Sequence, residues 1–539
     1  MNWLTGTGLE LMMRGMANSF LRQTERAVPV AAGTLQQILA VNGNTVWGRE
    51  HGLTGPGAFR DHPVTTYADY APYIERMAQG EPGVLTGDPV TYFAVTSGTT
   101  GPQKLIPVTR RQTRTIMTSM LAPIGLAARA GLIGRIRGRY LQIMTEQISG
   151  TTPGGIPRGA ATSGGLQSMG KMLGLIWTSP MPVIKVQKQR DARYLHLLFA
   201  LREERLWALC AFFPSTLIDL LRDLATRAPA LLRDLADGTI AADVELPAAV
   251  RAELTGLLRP APDRARRLGA LVEQGRLTVR DVWPETGVVL TAGSGAFRFY
   301  VEQLQPFLGG VPVFSPVYAA SEAAIGIGLP GRPGYVIVPG AAYHEFLPVG
   351  GDRPLGFAEV EEGAEYEILL TTYAGLWRYR LGDLVRVVGR CGHAPVVEFL
   401  ERKGQVLSIQ GEKVSEAQVV AAFSAACQAT GASVVDYVVT PDPSVSPGRY
   451  RLLVEARGET GALLEAFDAR LREAVPSYGR AVSLGKLSPM AVGVLKPGAF
   501  ECYREMRIAA GASASQVKVP HVIVDPAVAQ RDFGTHLGQ

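Results

Sequence analysis

Between the apolar runs Val90–Val95 and Leu105–Pro107 lies Thr96-Ser97-Gly98-Thr99-Thr100-Gly101-Pro102-Gln103-Lys104. Glycine lets backbone N–H groups turn toward a ligand with no Cβ in the way, and the hydroxyls of Ser97, Thr99 and Thr100 add donors. Lys104 adds a point charge. Such a loop suits the oxygens of a phosphate or pyrophosphate; an ordinary surface turn draws on the same residues. It is not a Walker loop, because G-x-x-x-x-G-K-[ST] counted from Gly98 needs a glycine where Gln103 stands. Further on, Tyr318-Ala319-Ala320-Ser321-Glu322 puts an aromatic, a hydroxyl and a carboxylate after the strand-like run Val311–Ser315. Tyr318 can stack on a flat base, and Glu322 can hold Mg2+ on phosphate oxygens. Asp383 precedes a hydrophobic strand and is flanked by Arg378, Arg380 and Arg386. It can accept both hydroxyls of a ribose, or it can be a salt-bridged turn aspartate.

Two tempting motifs fail on their flanks. Gly293-Ser294-Gly295 follows a strand and opens a helix, as a hydrolase nucleophile does, but the outer positions are Ala292 and Ala296 rather than glycine. Gly326-Ile327-Gly328-Leu329-Pro330-Gly331 spells a dinucleotide fingerprint, yet Pro330 and Pro333 forbid the helix that fingerprint must open.

The elements that must position these residues follow from periodicity. Residues 1–40 read as helix, with Leu11, Met12, Met16 and Phe20 on one face. A second helix runs from Thr65 to Met77, and a third from Thr109 to Ala130. Residues 190–282 read as mostly helical, and Ser149–Pro157 as a long glycine-rich loop of the kind that is often functional. The charged stretch Glu401-Arg402-Lys403-Gly404 reads as a break. Beyond it the pattern is strand 405–410, helix 415–429, strands 434–440 and 449–456, helix 460–474, strand 481–488 and helix 497–509.

The chain has 539 residues, a formal net charge of +6 and four scattered cysteines. That length predicts several domains. The cysteines form neither a disulfide framework nor a zinc pattern, which fits a reducing cytoplasm. No run is long and apolar enough for a membrane span, and no segment combines charge with aromatics as a nucleic-acid surface does. Lysine fills only nine of the 54 basic positions. Where it persists, a compact point charge is what the site needs, which singles out Lys104, Lys413 and Lys518.

Taken together, the motifs resemble the acyl-adenylate-forming enzymes. More closely they resemble their Gretchen Hagen branch, the auxin-responsive acyl-acid amido synthetases, in a bacterial-type form. The resemblance rests on Thr96–Gly101 with Lys104, Thr152–Pro157, Tyr318–Glu322, Thr371–Asp383 and Gly511–Pro520. It implies an α/β fold, with a large N-terminal domain (1–400) of β-sheets flanked by helices that binds ATP and the acid. A hinge (401–407) and a small mobile α+β domain (408–539) would follow. The implied reaction adenylates a carboxylic acid and passes the acyl group to an amino acid; an acyl-CoA ligase using the same intermediate is the alternative.

By the same resemblance Ser97, Gly98, Thr99, Thr100 and Lys104 hold phosphates, and Tyr318, Ser321 and Tyr343 face the nucleotide. Glu322 holds Mg2+, Asp383 grips the ribose, and Lys518 swings in as the catalytic cation. His344 is a candidate for the base that deprotonates the amine. The implied partners are small molecules only, with a monomer or weak homo-oligomer in the cytoplasm. The loop is one residue shorter than the plant pattern. The acid-binding helix, about 110–126, offers only Arg110, Arg111 and Arg114 as carboxylate-binding candidates, so a plant-hormone substrate is not implied.

Overall fold

The computed structural model describes residues 3–538 apart from 96–103, 135, 137, 147, 165–173, 175, 404, 405, 511 and 513–516. The serine, glycine and threonines of the first loop, Ser97 to Thr100, therefore lie outside the described residues. The strands beside them do not: Val90–Val95 and Leu105–Thr109 pair antiparallel, as expected for a loop between two strands. They join Pro157–Gly159 and Ile148–Thr151 in a four-stranded sheet.

A second sheet is all parallel, in the order Arg139–Gln142, Leu206–Cys210, Val288–Leu290 and Val313–Phe314. The strand Leu206–Cys210 lies inside the stretch read as helical. It is one short apolar run buried on both faces, so it shows no alternation to announce it. The helix Arg298–Leu308 follows the turn at Ser294, giving the expected strand–turn–helix.

The third sheet has seven antiparallel strands. Their order is Tyr343–Pro348, Glu365–Thr371, Tyr379–Cys391, Ala394–Arg402, Tyr335–Ile337, Ala324–Gly328 and Val317–Ala319. The rejected dinucleotide fingerprint is part of this sheet, in the strand Ala324–Gly328. The N-terminal helices Trp3–Glu25 and Ala27–Asn42 cover the sheet through Ala17, Phe20 and Ala31.

Local chemistry explains the helix starts. Thr66 and Asp69 form a capping box at the helix Tyr67–Ala78, with the Thr66 N–H donating to Asp69 at 2.7 Å. Such a cap contributes about 1 kcal/mol. The glycine-rich stretch after Thr151 is a hairpin pinned to the end of that helix. The Gly154 N–H donates to the Ala78 carbonyl at 2.8 Å, and a Cβ on Gly154 would lie 2.4 Å from the Gly80 nitrogen. Gly154 answers to packing, and Gly155 to the turn, with a φ of +80°.

After residue 405 come the helix Glu416–Thr430 and a sheet ordered Ser433–Asp442, Arg449–Arg457 and Ala491–Val494. The strand expected at 481–488 is instead the end of the helix Pro476–Ser483, started by its N-terminal proline; the strand comes later, at Ala491–Val494. One apolar core runs through both parts of the chain, joining Leu217, Leu221 and Phe299 to Val419, Phe423 and Tyr437. Among the described residues no helix is long and apolar enough to cross a membrane.

Candidate active site

The strands Val317–Ala319 and Ala324–Gly328 form a hairpin whose turn is closed by the Ala320 N–H donating to the Ala323 carbonyl at 2.9 Å. Ser321 and Glu322 are its tip. Gln112 braces the tip from the helix Arg110–Arg129, donating through Nε2 to the Glu322 carbonyl at 2.6 Å. Thr109 caps that helix, accepting from the Gln112 N–H at 3.3 Å, so the cap also orients the brace.

Tyr318 sits at the start of the hairpin, its ring against Tyr335 and Phe399 with centroids 5.7 and 5.9 Å away. Its hydroxyl donates to Asp383 Oδ2 at 2.7 Å. The other oxygen, Oδ1, accepts from Arg402 Nε at 2.6 Å. The two partners lie opposite each other in the register of their strands. The three flanking arginines are not the partners: Arg378 bonds Glu345, Arg380 pairs with Glu367 and Arg386 with Glu365. Alternation accounts for Arg380 and Arg386, because each lies an odd number of residues from Asp383 and so points to the opposite face. Asp383 is 1% exposed, while Arg380 and Arg386 are exposed. Arg402, in the stretch read as a break, ends the strand Ala394–Arg402.

Glu322 is buried, and burial pushes its carboxyl above the usual range. Arg402 and Lys104 oppose that shift, and Asp383 adds to it. Among the described residues no ion pair reaches the Glu322 carboxylate. Burial and the nearby Glu322 also raise the Tyr379 hydroxyl. Lys104 is exposed, with its ammonium 5.2 Å over the Tyr67 ring. The structure thus brings Tyr318, Ser321, Glu322, Asp383 and Lys104 into one neighbourhood.

Two further candidate residues have other neighbours among the described residues. Tyr343 lies on the opposite edge strand of the seven-stranded sheet, its ring centroid 5.7 Å from that of Phe59. Burial pushes its hydroxyl up to about 12. Lys518 lies after residue 405, its Nζ 3.4 Å from the Glu416 carboxylate and 5.4 Å over the Phe297 ring.

Models of the GH3 family N-terminal, central and C-terminal domains match residues 16–313, 335–402 and 417–527 in turn. The chain belongs to the GH3 family. It is 32% identical to the indole-3-acetic acid-amido synthetase GH3.8 of Oryza sativa subsp. indica, over 92% of this chain and 88% of that one. It is 30% identical to the probable indole-3-acetic acid-amido synthetase GH3.1 of Arabidopsis thaliana, over 93% of this chain and 90% of that one. It shares its fold with the GH3.15 acyl acid amido synthetase, with a TM-score of 0.87 and 24% identity, covering 98% of this chain and 97% of that one.

In this GH3 chain the weaker expectations fare differently. His344 is fully buried beside Phe357, and burial lowers its pKa to about 4, so no face of it is open to an incoming amine. Arg110, Arg111 and Arg114 are exposed, and Arg111 donates to Asp88 at 3.1 Å. The helix presents Gln112 to the hairpin instead. Among the described residues Ser294 has Tyr335 as its hydroxyl partner, at 3.1 Å, and no histidine or carboxylate bonds it, so the hydrolase reading finds no support. Gln112, Tyr379 and Arg402 are the site residues that sequence reasoning did not pick out.

Proposed function

We propose that this chain is an ATP-dependent acyl-acid amido synthetase, joining a carboxylic acid to the amine of an amino acid. In the first step a carboxylate oxygen attacks the α-phosphorus of ATP and pyrophosphate leaves, giving an acyl-adenylate. In the second the amine nitrogen attacks the acyl carbon, the bond to AMP breaks, and the amine gives its proton to a base. The observation that carries this reading is the convergence of Tyr318, Glu322 and Asp383, from separate stretches of chain, beside Lys104. Membership of a family whose named relatives are amido synthetases supports the amide product over a thioester.

Each residue has a role that suits its surroundings. A carboxylate offers about four lone-pair positions. Asp383 uses two of them on Tyr318 and Arg402, leaving positions for the two hydroxyls of a ribose. Tyr318 would face the adenine, with Ser321 and Tyr343 completing the nucleotide set. Ser97, Gly98, Thr99, Thr100 and Lys104 would take the phosphate oxygens. Glu322 suits Mg2+, since a buried carboxylate with no ion-pair partner among the described residues calls for a cation, and an oxygen donor is what Mg2+ takes. When bound, the metal would neutralise charge on the phosphate oxygens. Lys518 would supply a mobile cation to the first step, carried on the body 408–539 about a hinge at 401–407.

The test is pyrophosphate release with ATP, Mg2+ and a broad panel of carboxylic acids, with Asp383→Ala as control. Release above the control on at least one acid is expected; none on any acid would remove the reading. Trapping the adenylate with an amino-acid mixture against coenzyme A separates amide from thioester formation.

A further inference from the structure

Tyr300, on the helix Arg298–Leu308, donates its hydroxyl to both carboxylate oxygens of Asp436, at 2.9 and 2.7 Å. Asp436 belongs to the strand Ser433–Asp442, beyond residue 405, so this bond joins the two parts of the chain. Both side chains are buried, and burial holds the phenol far above its ordinary range, so it keeps the proton it donates. Around the pair, His521 stacks on Tyr300 at 5.4 Å and on Tyr437 at 4.3 Å. Its Nδ1 is 3.8 Å from Asp436. Phe299 packs edge-on against Phe423, Tyr437 and His521. Arg504 meets Asp219 at 3.3 Å across the same junction.

A junction made only of apolar side chains would tolerate many orientations. A buried carboxylate does not: it is satisfied only where its donors point at it, and once exposed both partners are hydrated at little cost. Such a contact favours one orientation yet can open. It also reaches the mobile lysine. The backbone N–H of His521 donates to Glu416 at 2.9 Å, and the other oxygen of Glu416 meets Lys518 at 3.4 Å. Lys518 in turn lies over Phe297, next to the turn in which Gly295 faces Phe399, the ring that touches Tyr318.

We propose that Tyr300 and Asp436 form a buried latch that fixes the small body in the orientation for adenylation, and so act as positioning residues for Lys518. The proposal rests on the adenylation reading above.

The test uses the full-length chain with Tyr300→Phe, Asp436→Asn and the double variant, and follows the half-reactions separately. Exchange of labelled pyrophosphate into ATP reads the first. Single-turnover aminolysis of the acyl-adenylate, made from an acid the wild type accepts, reads the second. Each single variant is expected to slow exchange about 10-fold or more, with the double variant no slower than the worse single one. Aminolysis stays within about twofold, and amide hydrogen exchange quickens in residues 298–308 and 517–523. Equal loss in both half-reactions, or exchange at the wild-type rate, overturns the latch. A wild type that exchanges no pyrophosphate on any acid removes the adenylation reading instead. Hydrogen exchange then decides the latch alone, and unaltered protection in Tyr300→Phe overturns it.

Discussion

Tyr318 and Asp383 stand four strands apart in the seven-stranded sheet, yet the Tyr318 hydroxyl lies 2.7 Å from the Asp383 carboxylate. In a flat sheet four inter-strand steps would separate them by about 19 Å. The sheet therefore curls until its last hairpin comes back over the strand Tyr379–Cys391. Twist is the default of antiparallel strands, and the register shifts at Leu384/Val385 and Val387/Gly389 add to it. The site is the inside of that curl, and the tyrosine–aspartate bond spans it.

Removing the bond with Tyr318→Phe keeps the ring and its contacts with Tyr335 and Phe399. A hydrogen bond to a charged group is worth about 1.5–3 kcal/mol. With Asp383 gripping the ribose as proposed, AMP binding is expected to weaken by about 10- to 100-fold, read by calorimetric titration. Stability should fall less than in Asp383→Ala, which removes both hydrogen bonds of the carboxylate and its packing. Wild-type affinity for AMP in Tyr318→Phe would show that the bond does not serve the nucleotide.

Glu322 makes a prediction with pH in it. Burial raises its folded-state pKa above the ordinary value of about 4.5, so the folded chain holds this proton more tightly than the unfolded one. The favourable contribution is then fully present below about pH 4.5 and is lost as pH rises through the folded pKa. At pH 7, above the unfolded pKa, the raised folded pKa makes this residue a net cost. Glu322→Gln is therefore expected to melt higher than wild type at pH 7, with the difference closing at or below about pH 4, while pyrophosphate release collapses. Thermal melts from pH 4 to 8 read this directly, and a variant that melts lower at pH 7 would contradict it.

Gly375, in the block shared with the family, is expected to be structural. Its φ is +90°, and a Cβ there would lie 2.0 Å from the Leu85 carbonyl oxygen. Gly375→Ala should cost on the order of 3 kcal/mol in urea unfolding. Whatever folded protein remains should bind AMP as the wild type does. A stable variant with lost nucleotide binding would place Gly375 in the site.

The candidate residues of the site stood out by residue type, whereas their partnerships did not. Tyr318, Glu322 and Asp383 stand out because aromatic, carboxylate and glycine sit together at strand ends. Arg402 did not, because its stretch reads as a charged break until pairing with the strand of Asp383 is known. Strand pairing is a long-range fact that local periodicity does not carry. The same holds for Leu206–Cys210, too short and too evenly apolar to reveal a period, and for His344, whose face depends on which side of the edge strand is covered. The helix start was legible: the letters put it at Thr65, one residue before the Thr66–Asp69 capping box.

Lys518 supplies the last prediction. Its ammonium is 3.4 Å from Glu416 and 5.4 Å over the Phe297 ring, with the side chain 29% exposed, so it is held without being buried. A cation so placed can leave its partner, because the Glu416 carboxylate keeps the His521 N–H as a donor at 2.9 Å. On the adenylation proposed above, the charge developing on the pentacoordinate α-phosphorus would reward that move. Lys518→Ala is therefore expected to slow pyrophosphate exchange by about 100- to 1,000-fold, the range for losing one preorganised electrostatic partner. AMP affinity should change by no more than about threefold, because the contacts proposed for the adenine and ribose lie on the seven-stranded sheet. Lys518→Arg should recover little, since a planar fork does not replace a compact ammonium. Glu416→Gln loosens the resting partner and keeps the lysine, so it should leave exchange equal to or faster than wild type. If Glu416→Gln instead lost as much as Lys518→Ala, the pair would be one catalytic unit, and the view of Glu416 as a resting partner would fail.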